Sequence, residues 1–195
     1  MIRPAKGIEL LIEWSLMINI NFYPESDKEE YVSAAKEYSE IWKKDGIKIF
    51  NAIENFSGLK FKTKLINAVT FEGPSYSLPL RLRSSYPESH KKATLIHELC
   101  HRILVDNYFY IFDNKNLSED IHKIIYLFLY DIWVDLLGKK IANESKDVEI
   151  GYGDTTYKNA WGWALSFDKE ARKLKFKEMV EKYSNHPKAI NKPKT

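Results

Sequence analysis

Two stretches of the chain place apolar residues all around a helix, and both are predicted as buried helices. The first covers residues 94–105, with the sequence TLIHELCHRILV. The second begins near Ser118, and from 124 to 137 every residue is apolar or aromatic except Asp131 and Asp135. Because a helix that is apolar on all sides avoids water, both segments are expected to lie in the interior.

Weaker patterns flank these two segments. Apolar residues recur at helical spacing over residues 28–56, and residues 155–183 are predicted as a helix that is apolar as far as Leu165 and strongly charged after it. Residues 59–71 alternate in polarity and predict a strand, whereas residues 8–21 suit either a strand or a short helix. This arrangement predicts an α+β fold with a helical C-terminal part, and we expect its strands to form a small mixed sheet.

A second strand is predicted over residues 77–83. Its residues alternate between two faces, with Leu80 and Leu82 on one face and Pro79 and Arg81 on the other. Because proline cannot donate a ladder hydrogen bond, this strand is expected at a sheet edge or a bulge.

The composition is that of a folded globular chain, with 195 residues of which 44% are hydrophobic and 14% aromatic. This length suits one domain with a sizeable core. We predict a single domain over residues 1–195, with its core at about 28–138. Residues 139–195 form a helical extension that ends in a mobile basic tail. The formal net charge of +3 is small and does not indicate a nucleic-acid partner.

Cysteine content and hydropathy favour a cytoplasmic protein. Cys100 is the single cysteine, which excludes an internal disulfide and suits a reducing compartment. It is better interpreted as a small buried hydrophobic residue than as a metal ligand. The apolar N-terminal stretch carries Glu9 and Glu13 and lacks a small-residue cleavage site, so no signal peptide is predicted. No uncharged apolar run of about 18 residues occurs, and no membrane partner is expected.

The first buried segment contains the pattern His97-Glu98-x-x-His101. Histidines four residues apart project from one side of a helix, and this spacing lets both imidazoles bind one tetrahedral zinc ion. Glu98 comes directly after the first histidine, where its carboxylate can act as general base on metal-activated water. The alternative is that both are ordinary core or surface histidines.

This segment resembles the active-site helix of the zincin metallopeptidases. The residues after it are similar to those of the gluzincin branch, including small intracellular peptidases of the phage-repressor-cleaving and radiation-response regulator type. The resemblance covers roughly residues 77–138. It implies a minimal zincin-like α+β fold, in which an edge strand precedes the active-site helix and a buried ligand helix comes after it. It also implies Zn²⁺ as cofactor and a peptide or protein as substrate.

The resemblance also implies a third ligand. In gluzincins a glutamate on a following helix completes the zinc site, and an aspartate or asparagine one turn later orients a ligand histidine. Asp131 and Asp135 match these two positions. Asp131 is therefore expected as the third ligand and Asp135 as the hydrogen-bond acceptor of a ligand histidine. The chain departs from the family pattern at Asp131, because the shorter side chain requires the two helices to lie closer together.

Other residues remain open for these roles. His122 and Glu119 precede Asp131 on the same predicted helix and are alternative ligands. Asp154 lies in a segment faintly similar to the aspartate-bearing motif of the aspzincins. Asp135 is alternatively a buried partner of Arg102 or of a backbone group. Candidate donors to a developing oxyanion are Tyr152, Tyr157, His122 and Arg102.

The edge strand has two interpretations. The resemblance implies that Leu80, Arg81 and Leu82 pair with an extended substrate backbone by strand addition. The alternative is a solvated edge protected by proline and charge.

The predicted function is zinc-dependent peptide hydrolysis. Two alternatives are a catalytically silent or latent zinc-binding regulatory domain and an interaction module that uses the aromatic residues 108–112 and 161–163 as partner surfaces.

Overall fold

A computed structural model describes residues 18–107, 117–152 and 155–184. It confirms the α+β class. The strands are β1 (Asn19–Pro24), β2 (Leu65–Phe71) and β3 (Arg81–Arg83). The helices are α1 (Glu29–Ser57), α2 (Glu88–Asp106), α3 (Leu117–Leu137), α4 (Lys139–Ile150), α5 (Thr155–Ala164) and α6 (Lys169–Ser184).

The three described strands form one sheet in the order β1-β2-β3. Both pairs are parallel, with Asn19 opposite Leu65 and Val69 opposite Arg81. The sheet was expected to be mixed, and the described strands instead run in one direction. Parallel pairing of β1 with β2 requires a long crossover connection, which α1 supplies.

Helix α1 runs unbroken from Glu29 to Ser57. Gly46 lies at its centre against the Trp42 ring, so a Cβ atom there would approach the indole to 3.0 Å. The helix ends at Gly58, whose φ of 69° is left-handed and whose N–H donates to the Glu54 carbonyl. Glycine adopts this conformation without the steric cost that a side chain would add.

Both helices that the sequence predicted to be buried lie in the interior. The α2 residues Leu95, Ile96 and Leu99 are at most 1% exposed. On α3, every residue from 124 to 129 is buried. Trp133 joins the two helices, because its indole N–H donates to the Ala93 carbonyl at 3.1 Å.

The helices after Gly138 are part of the same core. Ala142 of α4, Trp161 of α5 and Phe176 of α6 belong to the buried hydrophobic cluster. Across the described residues, no helix combines the length and hydrophobicity needed to cross a membrane. Predictions for the basic tail, the aromatic run 108–112, Asp154 and most of the N-terminal segment fall outside the described ranges.

Candidate metal centre

His97 and His101 face each other along one side of α2. Four residues separate them, so the helical repeat places one ring a turn above the other. Their rings stack with centroids 4.9 Å apart and planes inclined by 13°. The two Nε2 atoms are 3.0 Å apart. The predicted pair is therefore formed, with Nε2 as the atom that each ring presents to the other.

His122 brings a third imidazole to this pair from the first turns of α3. Its ring centroid lies 4.9 Å from that of His101 and 5.4 Å from that of His97. Its Nδ1 is 2.6 Å from the Ser118 carbonyl oxygen, one turn back, and a carbonyl can only accept. The proton in this bond is therefore on Nδ1, and in the neutral form of the ring Nε2 carries the lone pair that can ligate. One ligand atom from each of the three histidines lies within 4.8 Å of the other two.

This donor set fits a zinc ion. Ligand nitrogens at about 2.0–2.1 Å from a tetrahedral zinc lie about 3.3 Å from one another. The Nε2 atoms of His97 and His101 are 3.0 Å apart, close to this distance, and the ligand atoms of all three histidines lie within 4.8 Å of one another. Burial, with the charges of His97 and His122, holds the pKa of His101 well below its ordinary value, so this imidazole is neutral and able to ligate. Three histidines leave one tetrahedral position for water or substrate.

Glu149 fixes the orientation of His97. Its Oε1 accepts a hydrogen bond from His97 Nδ1 at 2.5 Å, and its Oε2 accepts one from Trp161 Nε1 at 2.9 Å. Burial raises the pKa of Glu149, but the charge of His97 and the hydrogen bonds outweigh it, and the pKa lies below its ordinary value. A carboxylate that accepts from the second nitrogen of a ligand histidine fixes its tautomer and strengthens it as a donor to metal.

The sequence prediction missed Glu149, although a signal was present. Ala142, Ser145 and Glu149 are spaced by three and four residues and form the buried face of α4. A glutamate on such a face needs a partner, because burying an unpaired carboxylate is costly. The pattern indicates that a partner exists, and only the packing of α4 against α2 identifies it as His97.

Glu98 lies beside His97 and is 6% exposed. Burial raises its pKa to about 7, an effect partly offset by the charge of His97 and reinforced by that of Glu149. Ser77 Oγ donates to the Glu98 main-chain carbonyl at 2.8 Å, which ties this turn of α2 to the segment before β3. The Glu98 side chain lines a pocket together with His97, and its role as general base stays a prediction.

The pocket has a volume of about 320 Å³, and His97, Glu98 and Glu149 are among the residues that line it. Tyr157 also lines it, with its ring centroid 4.7 Å from that of His122. Of the four candidate donors to an oxyanion, Tyr157 thus lies beside His122, and His122 itself lies beside His97 and His101. Arg102 instead donates to the Ser77 carbonyl, and the Tyr152 hydroxyl contacts the Tyr86 hydroxyl.

The structure places Asp131 away from the histidines. Arg172 of α6 binds both of its oxygens, at 2.8 Å and 3.1 Å. Nine residues separate Asp131 from His122 on α3, a rise of about 13 Å along the helix axis. The expectation that Asp131 is the third ligand is therefore corrected. The burial of its carboxylate was predicted correctly, but its partner is a guanidinium group.

Two further carboxylates also lie outside the centre. Asp135 is exposed near the end of α3, so it neither orients a ligand histidine nor pairs in the interior with Arg102. Glu119 forms an ion pair with Lys123 at 2.6 Å. Neither Asp131 nor Asp135 therefore lies at the candidate metal centre. The reason is that α3 reaches the centre through its first turns, where His122 lies, and both aspartates come later on the helix.

The edge of β3 is closed by the chain itself. The Arg81 N–H donates to the Tyr76 carbonyl at 2.8 Å, and the Arg81 carbonyl accepts from the Tyr76 N–H at 3.0 Å. The Arg83 N–H donates to Ser75 Oγ, and its carbonyl accepts from the Tyr38 hydroxyl. These backbone groups point away from β2, so strand addition at Leu80, Arg81 and Leu82 would have to break their existing hydrogen bonds. The substrate role predicted for this edge is corrected accordingly.

The centre thus combines three imidazoles, a buried glutamate beside them and a second glutamate that orients one ring. These side chains come from α2, α3 and α4. Compared with known proteins, the chain matches no family model, no curated protein and no solved structure.

Proposed function

We propose that this protein is a zinc-dependent peptidase of zincin type. The observation that carries the proposal is the convergence of His97, His101 and His122, of which His97 lines a pocket together with Glu98. A zinc ion in such a site supplies Lewis acidity, which lowers the pKa of water to about 7 and polarises a carbonyl group. Three imidazoles with ligand atoms within 4.8 Å of one another favour this interpretation over that of ordinary core histidines.

The surrounding side chains each have a separate role in the proposed reaction. The Nε2 atoms of His97, His101 and His122 would hold the ion, and Glu149 keeps the His97 ring in the tautomer that can ligate. Glu98 removes a proton from the attacking water and returns it to the leaving amine, as a general base and then a general acid. We assign Tyr157, which lines the pocket with its ring 4.7 Å from that of His122, as the hydrogen-bond donor to the oxygen on which negative charge develops.

A substrate would reach Glu98 through the pocket, since the outward backbone groups of Arg81 and Arg83 are already paired.

We further propose a cytoplasmic location. Cys100 supports this, because a single buried thiol needs no oxidising compartment.

Metal analysis of purified variants tests the ligand set. We expect about one zinc per chain in the parent, and less than a tenth of that in His101→Ala and His122→Ala. His90→Ala is the matched control for metal content, because His90 lines the pocket but is not among the three grouped histidines. Equal zinc in His122→Ala and the parent would contradict the three-histidine site.

Hydrolysis is tested with a mixture of peptides of known sequence, read by mass spectrometry. We expect new termini with the parent and at least a 100-fold lower rate with Glu98→Gln at unchanged zinc content. A Glu98→Gln variant as active as the parent would refute its role as the base.

The second candidate is a zinc-binding regulatory domain without peptidase activity. The closed edge of β3 favours it, because an extended substrate backbone has no strand to pair with there. Full zinc occupancy with no cleavage of any peptide, in the parent and in Glu98→Gln alike, would support this candidate over the enzyme.

A further inference from the structure

The pocket that His97 and Glu98 line lies along the N-terminal part of α2. Its α2 wall is formed by residues from His90 to Glu98, a rise of about 12 Å along the helix axis, whereas His101 and His122 are not part of its lining. A group that fills the pocket therefore lies next to the candidate metal centre. In the proposed reaction, this is the position of a side chain adjacent to the peptide bond that is cleaved.

Trp133 gives this pocket a fixed aromatic wall beside the centre. Its ring centroid lies 6.5 Å from that of His97, and its indole N–H donates to the Ala93 carbonyl at 3.1 Å. Trp161 packs against it, with ring centroids 5.7 Å apart. Because a hydrogen bond and a second indole hold the Trp133 ring, this part of the wall is formed before any occupant enters.

Three tyrosines also line the pocket and lead toward the centre. The hydroxyls of Tyr86 and Tyr152 are in contact, the ring centroids of Tyr152 and Tyr157 are 5.9 Å apart, and Tyr157 lies beside His122. Aliphatic surface comes from three further lining residues, Pro74, Ala93 and Val148. Such a lining favours an apolar occupant, because an apolar group gains free energy when it leaves water.

The charged residues of the lining offer no free partner to a charged occupant. Within the described part of the chain, no lysine, arginine or aspartate lines the pocket, and its two glutamates are Glu98 and Glu149. Both oxygens of Glu149 already accept hydrogen bonds, from His97 and Trp161. Glu98 is the base of the proposed reaction, so a cation paired with it would block the attacking water. An anion would be buried without a counter-charge, which is strongly disfavoured.

We infer that this pocket binds a large uncharged apolar side chain of the peptide substrate, that of phenylalanine or leucine, beside the bond to be cleaved. Its volume of about 320 Å³ is at the lower end of the range for ligand pockets, about 300–1,000 Å³, and suits one such side chain. This inference rests on the proposed function for the cleavage step. The preference for an uncharged apolar group, however, is a binding property that is measured without turnover.

The test uses three ring probes on the purified full chain, both metal-free and zinc-loaded. Toluene is uncharged, p-toluenesulfonate carries a negative charge and 4-methylbenzylammonium a positive charge. Protein NMR follows the indole N–H signal of Trp133, which lines the pocket, and that of Trp163, which does not. We expect toluene to shift the Trp133 signal alone. In both forms of the protein it should bind at least about tenfold more tightly than either charged probe.

Lysine substitutions test whether the uncharged wall sets this preference. Val148 lines the pocket and is 37% exposed, so Val148→Lys can be accommodated. It should raise the affinity for p-toluenesulfonate relative to toluene by about fivefold, the effect of one partly exposed ion pair. Thr94→Lys, on the α2 wall, should act in the same direction as a second variant. Leu174→Lys is the matched control, because Leu174 is 62% exposed on α6 and does not line this pocket.

The outcome for the pocket is separable from that for catalysis. Tighter binding of a charged probe than of toluene, no shift of the Trp133 signal, or a selectivity that both pocket variants leave unchanged would overturn the inference. If toluene binds as expected but no peptide is cleaved, the apolar preference of the pocket stands and the proposed peptidase activity fails. If peptides are cleaved without preference for phenylalanine or leucine and the probes bind alike, the activity stands and the pocket inference fails.

Discussion

His97 Nδ1 donates a hydrogen bond to Glu149 Oε1 across 2.5 Å, although 52 residues separate the two in sequence. Both residues are buried, at 6% and 8% exposure. The contact joins α2 to α4 and leaves Nε2 of His97 facing His101. The orientation of one ring in the centre therefore depends on a helix that comes after both histidine-bearing helices along the chain.

Replacing Glu149 with glutamine should weaken zinc binding by about 10- to 100-fold, the range found when such orienting partners are changed. Glutamine keeps one acceptor but turns an N–H toward either His97 or Trp161, so one buried donor loses its partner. Competition with a chromophoric chelator measures the affinity. Glu144→Gln is the control, because Glu144 lies on the same helix and forms only a 3.9 Å pair with Lys140. Equal zinc affinity in both variants would contradict the assigned role.

The Asp131–Arg172 pair should contribute to stability and not to metal binding. Both side chains are 8% exposed, so removing one partner leaves a buried charge uncompensated. We expect Asp131→Leu to lower the free energy of unfolding by about 3–5 kcal/mol, measured with urea. The double variant Asp131→Leu/Arg172→Met should recover most of this loss, since apolar replacements of buried pairs are often neutral. Both proteins should keep the zinc content of the parent, and loss of zinc from a folded Asp131→Leu would restore Asp131 as a ligand.

The closed edge of β3 makes a prediction for hydrogen exchange. The Arg81 amide donates to Tyr76, so it should exchange about as slowly as the Val69 amide, which donates to the Leu80 carbonyl between β2 and β3. Ser75→Ala should speed exchange at Arg83, whose N–H donates to Ser75 Oγ, and leave Arg81 protected. Exchange is followed by NMR on each amide. Rapid exchange at Arg81 in the parent would show that the edge is free.

Replacing each of two glycines with alanine should change the stability of the protein in opposite directions. Gly58 has a left-handed backbone at the end of α1, so Gly58→Ala should destabilise the protein by about 1 kcal/mol. Gly162 is exposed within α5, and a Cβ atom there would meet nothing within 4 Å. Gly162→Ala should therefore stabilise the protein by about 0.5 kcal/mol. Urea denaturation of both variants measures the difference, and destabilisation by Gly162→Ala would contradict the exposed position of this residue.

Features that depend on the helical repeat or on the hydrophobicity of a single helix could be predicted from the sequence. The stacking of His97 on His101 results from a spacing of four residues, and the burial of α2 and α3 results from their apolar surfaces. The parallel sheet could not be predicted in this way. Strand direction depends on how α1 packs, and hydrophobic alternation in β2 is the same for either direction.

The sequence by itself determined that two imidazoles and one glutamate share a buried helix, and that Asp131 is a carboxylate in an apolar setting. Tertiary structure alone decided that His122 completes the group, that Glu149 supports it and that Arg172 neutralises Asp131. The physical reason is that burial of a polar group requires a partner without specifying which one. That choice depends on where the axes of α2, α3, α4 and α6 cross, and those crossings are set by packing between residues far apart in the chain.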